Sequence, residues 1–183
     1  MNREELVIGG FGGQGIILAG IIIGKAASIF DGKNATQCQN YGPEARGGAC
    51  KAQVVISDSP ISYPYIENPT LLTVMSQEAY DKFSPTLRKD ALLIIDNVLV
   101  NLDSPVTDKI FSIPATQIAE DLGRVAVANI VMLGFLATVS NVVSIDALKK
   151  AVLDSVPEGT EELNLKAFES GYGYGIGQLK SAV

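Results

Sequence analysis

The sequence predicts a layered α/β fold built on a mixed sheet. Short apolar runs alternate with segments of helical length, and a glycine-rich turn joins the first run to the first helix. A third observation sets the sheet type: from Ala49 to Ser57, Lys51, Gln53 and Val55 oppose Cys50, Ala52, Val54 and Ile56, the alternation of an antiparallel or edge strand. With 183 residues, 47% of them hydrophobic and 19% charged, the chain is expected to fold as one domain, 1–183, around a substantial core.

Taken in order, Glu5 to Gly9 reads as the first strand, and a helix from Gln14 to Phe30 follows the glycines, stopped by Asp31-Gly32. Ala35 to Gln39 is the second strand. After the irregular stretch Tyr41 to Gly48 and the alternating strand, Leu71 to Met75 and Ala91 to Ile95 are continuous apolar runs typical of buried strands, with a short helix from Gln77 to Phe83 between them. Lys109 to Ile113 is a weaker strand, and Pro114 suits the first turn of the helix after it. Three helices complete the chain: Arg124 to Val139, Ile145 to Ser155 with Ser144 as cap, and Thr160 to Tyr172. Gly171 to Gly177 reads as a flexible end.

The most informative segment is Gly9-Gly10-Phe11-Gly12-Gly13-Gln14-Gly15. A strand, a glycine turn and a helix start form a phosphate cradle, because glycine admits close backbone approach and the helix offers unpaired amides with the positive end of its dipole. Gly10, Gly12 and Gly15 match the dinucleotide spacing, but Thr36 to Asn40 supplies no carboxylate for a ribose; the nearest are Asp31 and Glu44, on either side of that strand. A triphosphate loop would close on Lys-Ser or Lys-Thr, where this chain has Gln14-Gly15-Ile16. Nicotinamide and kinase-like readings are therefore disfavoured, which leaves an anion cradle or a turn that binds nothing.

A second loop, Tyr41-Gly42-Pro43-Glu44-Ala45-Arg46-Gly47-Gly48, holds Arg46 beside glycine amides, a suitable anion clamp; pairing of Arg46 with Glu44 is the alternative. Loops after the first and second strands commonly share the carboxyl edge of an α/β sheet, so the two could shape one site. Asp96-Asn97 reads as a turn before it reads as a binding pair.

The net charge of -6 argues against nucleic-acid partners. Two cysteines, Cys38 and Cys50, and no histidine leave no four-ligand metal set, so no metal site is expected and both thiols are expected to be buried. No nucleophile and base pair is recognisable, so no catalytic residue is assigned to this chain. No secretory signal is visible, which points to the cytoplasm, and the charge-free windows Leu6 to Gly24 and Val125 to Ile145 are interrupted too often for membrane insertion. Helices this apolar instead suggest cover by a partner subunit.

Gly10-Phe11-Gly12-Gly13-Gln14-Gly15 and Tyr41 to Gly48 together closely resemble the γ subunits of 2-oxoacid:ferredoxin oxidoreductases. The likeness continues through Val55 to Asp58, Pro60-Ile61, Ser76-Gln77-Glu78-Ala79-Tyr80, Asn129, Gly134, Asn164, Ala167-Phe168 and Gly171. The Asp31-Gly32-Lys33 turn, the form of the second loop and Ser76 to Tyr80 look most like the 2-oxoglutarate enzyme (2-oxoglutarate synthase), with pyruvate, branched-chain and indolepyruvate enzymes as alternatives.

The resemblance implies a three-layer α/β domain with a mixed, partly closed sheet, like domain III of pyruvate:ferredoxin oxidoreductase. It implies a subunit of an enzyme that converts a 2-oxoacid and CoA to acyl-CoA and CO2 while reducing ferredoxin. Thiamine diphosphate and iron–sulfur clusters would sit on partner subunits of α, β and δ type, and ferredoxin would be reached through the complex. CoA would be contacted by Gly12, Gly13, Gln14, Gly15, Arg46 and Gly47. A pure scaffold subunit, with both loops packed on partners, is the competing implication.

Overall fold

The computed structural model describes residues 3–39, 48–103 and 106–181. Arg46, Gly47 and most of the second loop lie outside the described residues.

Strand β1 (Arg3–Phe11) leads into helix α1 (Ile16–Lys25), and β2 (Asn34–Gln39) and β3 (Ala49–Ser57) follow. Next come β4 (Leu71–Val74), helix α2 (Gln77–Phe83), β5 (Leu92–Asp96), β6 (Lys109–Ile113) and helix α3 (Ala115–Asp121). Helices α4 (Ala128–Ser140), α5 (Ile145–Leu153) and α6 (Glu161–Ser181) close the chain. The six strands form one mixed sheet in the order β2-β3-β1-β4-β5-β6. β3 runs antiparallel to both neighbours, and the β1-β4, β4-β5 and β5-β6 pairs are parallel.

Strand parity divides the core into two layers. Leu6, Ile8, Leu71 and Ile94 face the large cluster under α1, α4 and α5, whereas Val7, Leu72, Val74, Leu93 and Ile95 face a smaller one under α2 with Tyr80 and Phe83. The expected α/β class and mixed sheet are found. Of the two readings of its alternation, antiparallel or edge, β3 takes the first: it is antiparallel and interior, and its polar Gln53 is satisfied by donating from Nε2 to the Ile66 carbonyl at 3.2 Å.

Three further differences are instructive. The long first helix ends its α-helical part at Lys25 and continues as one π-helical turn, Ala26–Phe30. Asp31 then accepts from Ser144, through Oδ2 from the backbone N at 2.7 Å and through Oδ1 from Oγ at 2.6 Å, while Ser144 Oγ caps α5 by accepting from Ala147 N at 3.1 Å. This carboxylate is committed to a helix junction, far from a ribose role.

Helix α4 is buried from Ala128 to Thr138, and the chain's own α3, α5, α6 and sheet cover it, so its apolar composition does not require a partner. The expected flexible end is helical through Ser181, and two of its glycines pack on α4: Gly171 lies against the Val131 and Phe135 backbone and Gly175 against Thr138. Close contact there outweighs the low helix propensity of glycine, about 1 kcal/mol per residue.

Candidate functional site

The carboxyl ends of β1 and β4 bring three segments to one edge of the sheet. Phe11 is the register partner of Ala49, so the strand that emerges from the second loop begins beside the glycine turn. The turn itself holds Gly13 at φ 97° and Gly15 at φ 73°, backbone values that disfavour L side chains. Gly12 and Gly13 are exposed, and a methyl group on Gly13 would meet nothing within 4 Å. Their backbone therefore faces open space, as a cradle requires.

Gln14 serves a different purpose. Its Oε1 accepts from Phe11 N at 2.7 Å and its Nε2 donates to the Met75 carbonyl at 2.8 Å, which ties the turn to the end of β4. A network from α2 completes the frame: buried Ser76 accepts from Ala79 N at 3.2 Å, and Glu78 Oε1 accepts from Ala49 N at 3.2 Å. Gln77 Oε1 takes Asn101 N at 2.8 Å. The Ser76 to Tyr80 motif thus ties α2 to the start of β3 beside the glycine turn. Such bonds contribute about 0.5 to 1.5 kcal/mol each, and their larger value here is in holding loop geometry.

Asn129, an interruption in an apolar run when read as sequence, is the contact between turn and helix bundle. It is 3% exposed, its Nδ2 donates to the Gly15 carbonyl at 3.1 Å, and its Oδ1 has no hydrogen-bond partner among the described residues. Around it lies a narrow cleft of about 140 Å³ lined by Gly13, Gly15, Arg124, Asn129, Thr160 and Asn164, among others. Sequence reading missed Arg124 and Thr160 as site residues. No local pattern marks them, since each reaches the cleft only through the packing of α4 and α6 on α1.

A larger open groove, about 710 Å³, opens at the opposite, amino edge near Arg3, Thr70, Arg88, Asp90 and Lys109. Its charges are partly self-satisfied, with Arg3 Nε 2.7 Å from Glu5 and Arg88 Nη2 3.2 Å from Asp90. Arg88, by hydrogen bond and charge, holds the exposed Asp90 carboxyl below its usual range. Ligands of open α/β sheets gather at the carboxyl edge, so the glycine-loop cleft is the better candidate.

Asp96 is fully buried and serves structure: Oδ2 accepts from Thr116 N at 2.9 Å and Thr116 Oγ1 at 2.5 Å, and Oδ1 from Val98 N at 3.1 Å. The turn reading of Asp96-Asn97 thus holds, with a cap on the start of α3 added. Cys38 and Cys50 are half-buried rather than buried, and burial raises the Cys50 thiol above its ordinary pKa. Among the described residues no group of histidine, cysteine and carboxylate side chains is arranged to hold a metal, and no helix is long and apolar enough to cross a membrane.

Comparison with known proteins gives this geometry its family. Residues 5–174 match the family described as pyruvate ferredoxin/flavodoxin oxidoreductase. The chain is 51% identical over 173 residues to the 2-oxoglutarate synthase subunit KorC of Methanocaldococcus jannaschii, covering 93% of this chain and 92% of that one. The KorC subunit of Methanothermobacter thermautotrophicus is 48% identical over 177 residues, covering 92% and 93%. Among solved structures, the keto/oxoacid ferredoxin oxidoreductase γ subunit of Geobacter sulfurreducens superposes with a TM-score of 0.88 at 42% identity, covering 97% of this chain and 98% of that one. The chain belongs to the pyruvate ferredoxin/flavodoxin oxidoreductase family.

Proposed function

We propose that this chain is the γ subunit of a 2-oxoglutarate:ferredoxin oxidoreductase, an enzyme that converts 2-oxoglutarate and CoA to succinyl-CoA and CO2 and passes the two electrons released to ferredoxin. One observation carries the reading: the likeness to 2-oxoglutarate synthase subunits reaches 51% identity and runs almost the full length of both chains. In this reading α, β and δ-type partners in the cytoplasm hold thiamine diphosphate and the iron–sulfur clusters, which supply the decarboxylation and electron-transfer chemistry. This chain provides a wall of the CoA site, with the exposed backbone of Gly12 and Gly13 and the half-buried Gly15 toward the ligand and Arg46 and Gly47 completing the clamp. Gln14 acts as a positioning residue, because both polar atoms of its amide are spent on holding the turn.

The test is to assemble the chain with its partner subunits and follow CoA-dependent ferredoxin reduction with 2-oxoglutarate, pyruvate and branched-chain 2-oxoacids in parallel. The expected result is a clear preference for 2-oxoglutarate; a preference for pyruvate would reassign the enzyme. A second reading, a scaffold with no ligand contact, is favoured by the inward-turned Gln14. Hydrogen exchange of the complex separates the two, since CoA contact should protect amides of residues 9–15 and a pure scaffold would leave them unchanged.

A further inference from the structure

We infer that strand β2, at the edge of the sheet, is a pairing surface for a second copy of this chain, joined antiparallel about a two-fold axis. β2 ends the sheet on one side and β6 on the other, and the two edges are finished differently. β6 opens on Lys109, and Gln178 of α6 donates from Nε2 to the Ser112 carbonyl at 2.7 Å, so a charge and a side chain guard it. β2 reads Asn34-Ala35-Thr36-Gln37-Cys38-Gln39, with no charge and no proline, and its six consecutive register pairs with β3 leave no bulge. None of Asn34 to Cys38 is buried. Among the described residues the main chain of β2 has no hydrogen-bond partner on the side away from β3. An edge left in that state is a template for another strand.

The nearest charges are spent elsewhere. Asp31 is held by Ser144, and Lys33 Nζ donates to the Val142 carbonyl at 2.9 Å. Apolar groups flank the edge instead, on both faces of the sheet. On the α1 face the π-helical turn packs against β2 and exposes Ile29 and Phe30. On the α2 face the segment that carries Tyr63 and Tyr65 is tied to β2, where Cys38 Sγ donates to the Pro64 carbonyl at 3.8 Å. Both rings are exposed and meet edge to face, with centroids 5.5 Å apart. Aliphatic and aromatic groups beside an unguarded strand are the composition of an interface core.

The chemistry selects a second copy as the occupant. The chain carries a net charge of -6, so the acidic surfaces of two copies repel, and a charge-free strand is where they meet at least cost. With no ionised side chain in β2, every antiparallel register of β2 on β2 is free of like-charge pairs. β1, β3 and β2 already alternate in direction, so an antiparallel copy continues the ladder across the axis. The contact is isologous, and the joined sheet ends on two guarded β6 edges, so association stops at the dimer.

The experiment is sedimentation of the full chain over a dilution series. Wild type should form a dimer within the series. Thr36→Lys and Thr36→Glu each bring like charges together near the centre of the joint and should raise the dimer Kd at least about tenfold; an equimolar mixture of the two should restore a dimer. Lys109→Glu, on the guarded edge, should leave the dimer unchanged. A wild type that stays monomeric up to about 100 µM, variants that dimerise as well as wild type, or a mixture of folded variants that remains monomeric would each overturn the assignment. Hydrogen exchange of the wild type decides the matter if a variant fails to fold: dimer formation should slow exchange in residues 34–39, and protection elsewhere without it counts against the joint. If the chain is monomeric alone but residues 34–39 become protected on assembly with the partner subunits, the occupant is a partner strand and the second copy is ruled out.

Discussion

Where α4 crosses α6, Gly134 and Gly171 lie so close to the opposite backbone that a methyl group on either would strike a carbonyl oxygen, that of Phe168 or of Val131. Around the start of the same helix, a methyl group on Gly13 would meet nothing within 4 Å and one on Gly15 would meet the Asn129 side chain first. The crossing uses glycine for lack of volume, which lets two helices meet backbone to backbone. The loop uses glycine for positive φ, which turns the chain while leaving its amides uncovered. One arrangement gives rigidity and the other gives access, and the rigid one holds Asn129 where it can fix the accessible one.

The sharpest way to break this comparison is Gly134→Ala. Its added carbon meets main chain that cannot rotate aside, so the cost should reach about 3 kcal/mol, read as a lower urea midpoint. Gly15→Ala comes next, at about 2 kcal/mol for a left-handed residue that also displaces Asn129. Unlike the first variant, it should also weaken CoA binding in the assembled enzyme; an equal effect of both on CoA would dissolve the distinction. Gln14→Ala removes the bonds to Phe11 and Met75 at about 1 kcal/mol, with faster hydrogen exchange confined to residues 9–15.

The smallest effect belongs to the α6 surface. Lys166, first by hydrogen bond and then by charge, holds the Glu162 carboxyl below its usual range. A lowered folded-state pKa means that its contribution is present at neutral pH and is lost as pH falls through the carboxylate range. Lys166→Met should move the Glu162 titration upward by NMR and leave CoA affinity unchanged.

Much of the frame was legible because it is local. Ser144 and Ser76 cap the helices after them, Pro114 precedes α3, and each apolar run from Leu71 to Ile95 became a buried strand, since period and capping depend on near neighbours. The extent of α6 was not legible: Gly171 and Gly175 argue against a helix until α4 is placed beside them. Nor was the inward aim of Gln14, whose acceptor Met75 lies 61 residues away.

The sequence by itself determined the α/β class, the mixed sheet and a glycine turn fit for an anion, because strand period, helix caps and the freedom of glycine act within a few residues. Tertiary structure alone decided that Asn129 would grip Gly15 across 114 positions and that Arg124 would line the same cleft. Those meetings depend on how α4 and α6 pack over α1, and packing is settled by the fit of whole faces rather than by any local run of residues.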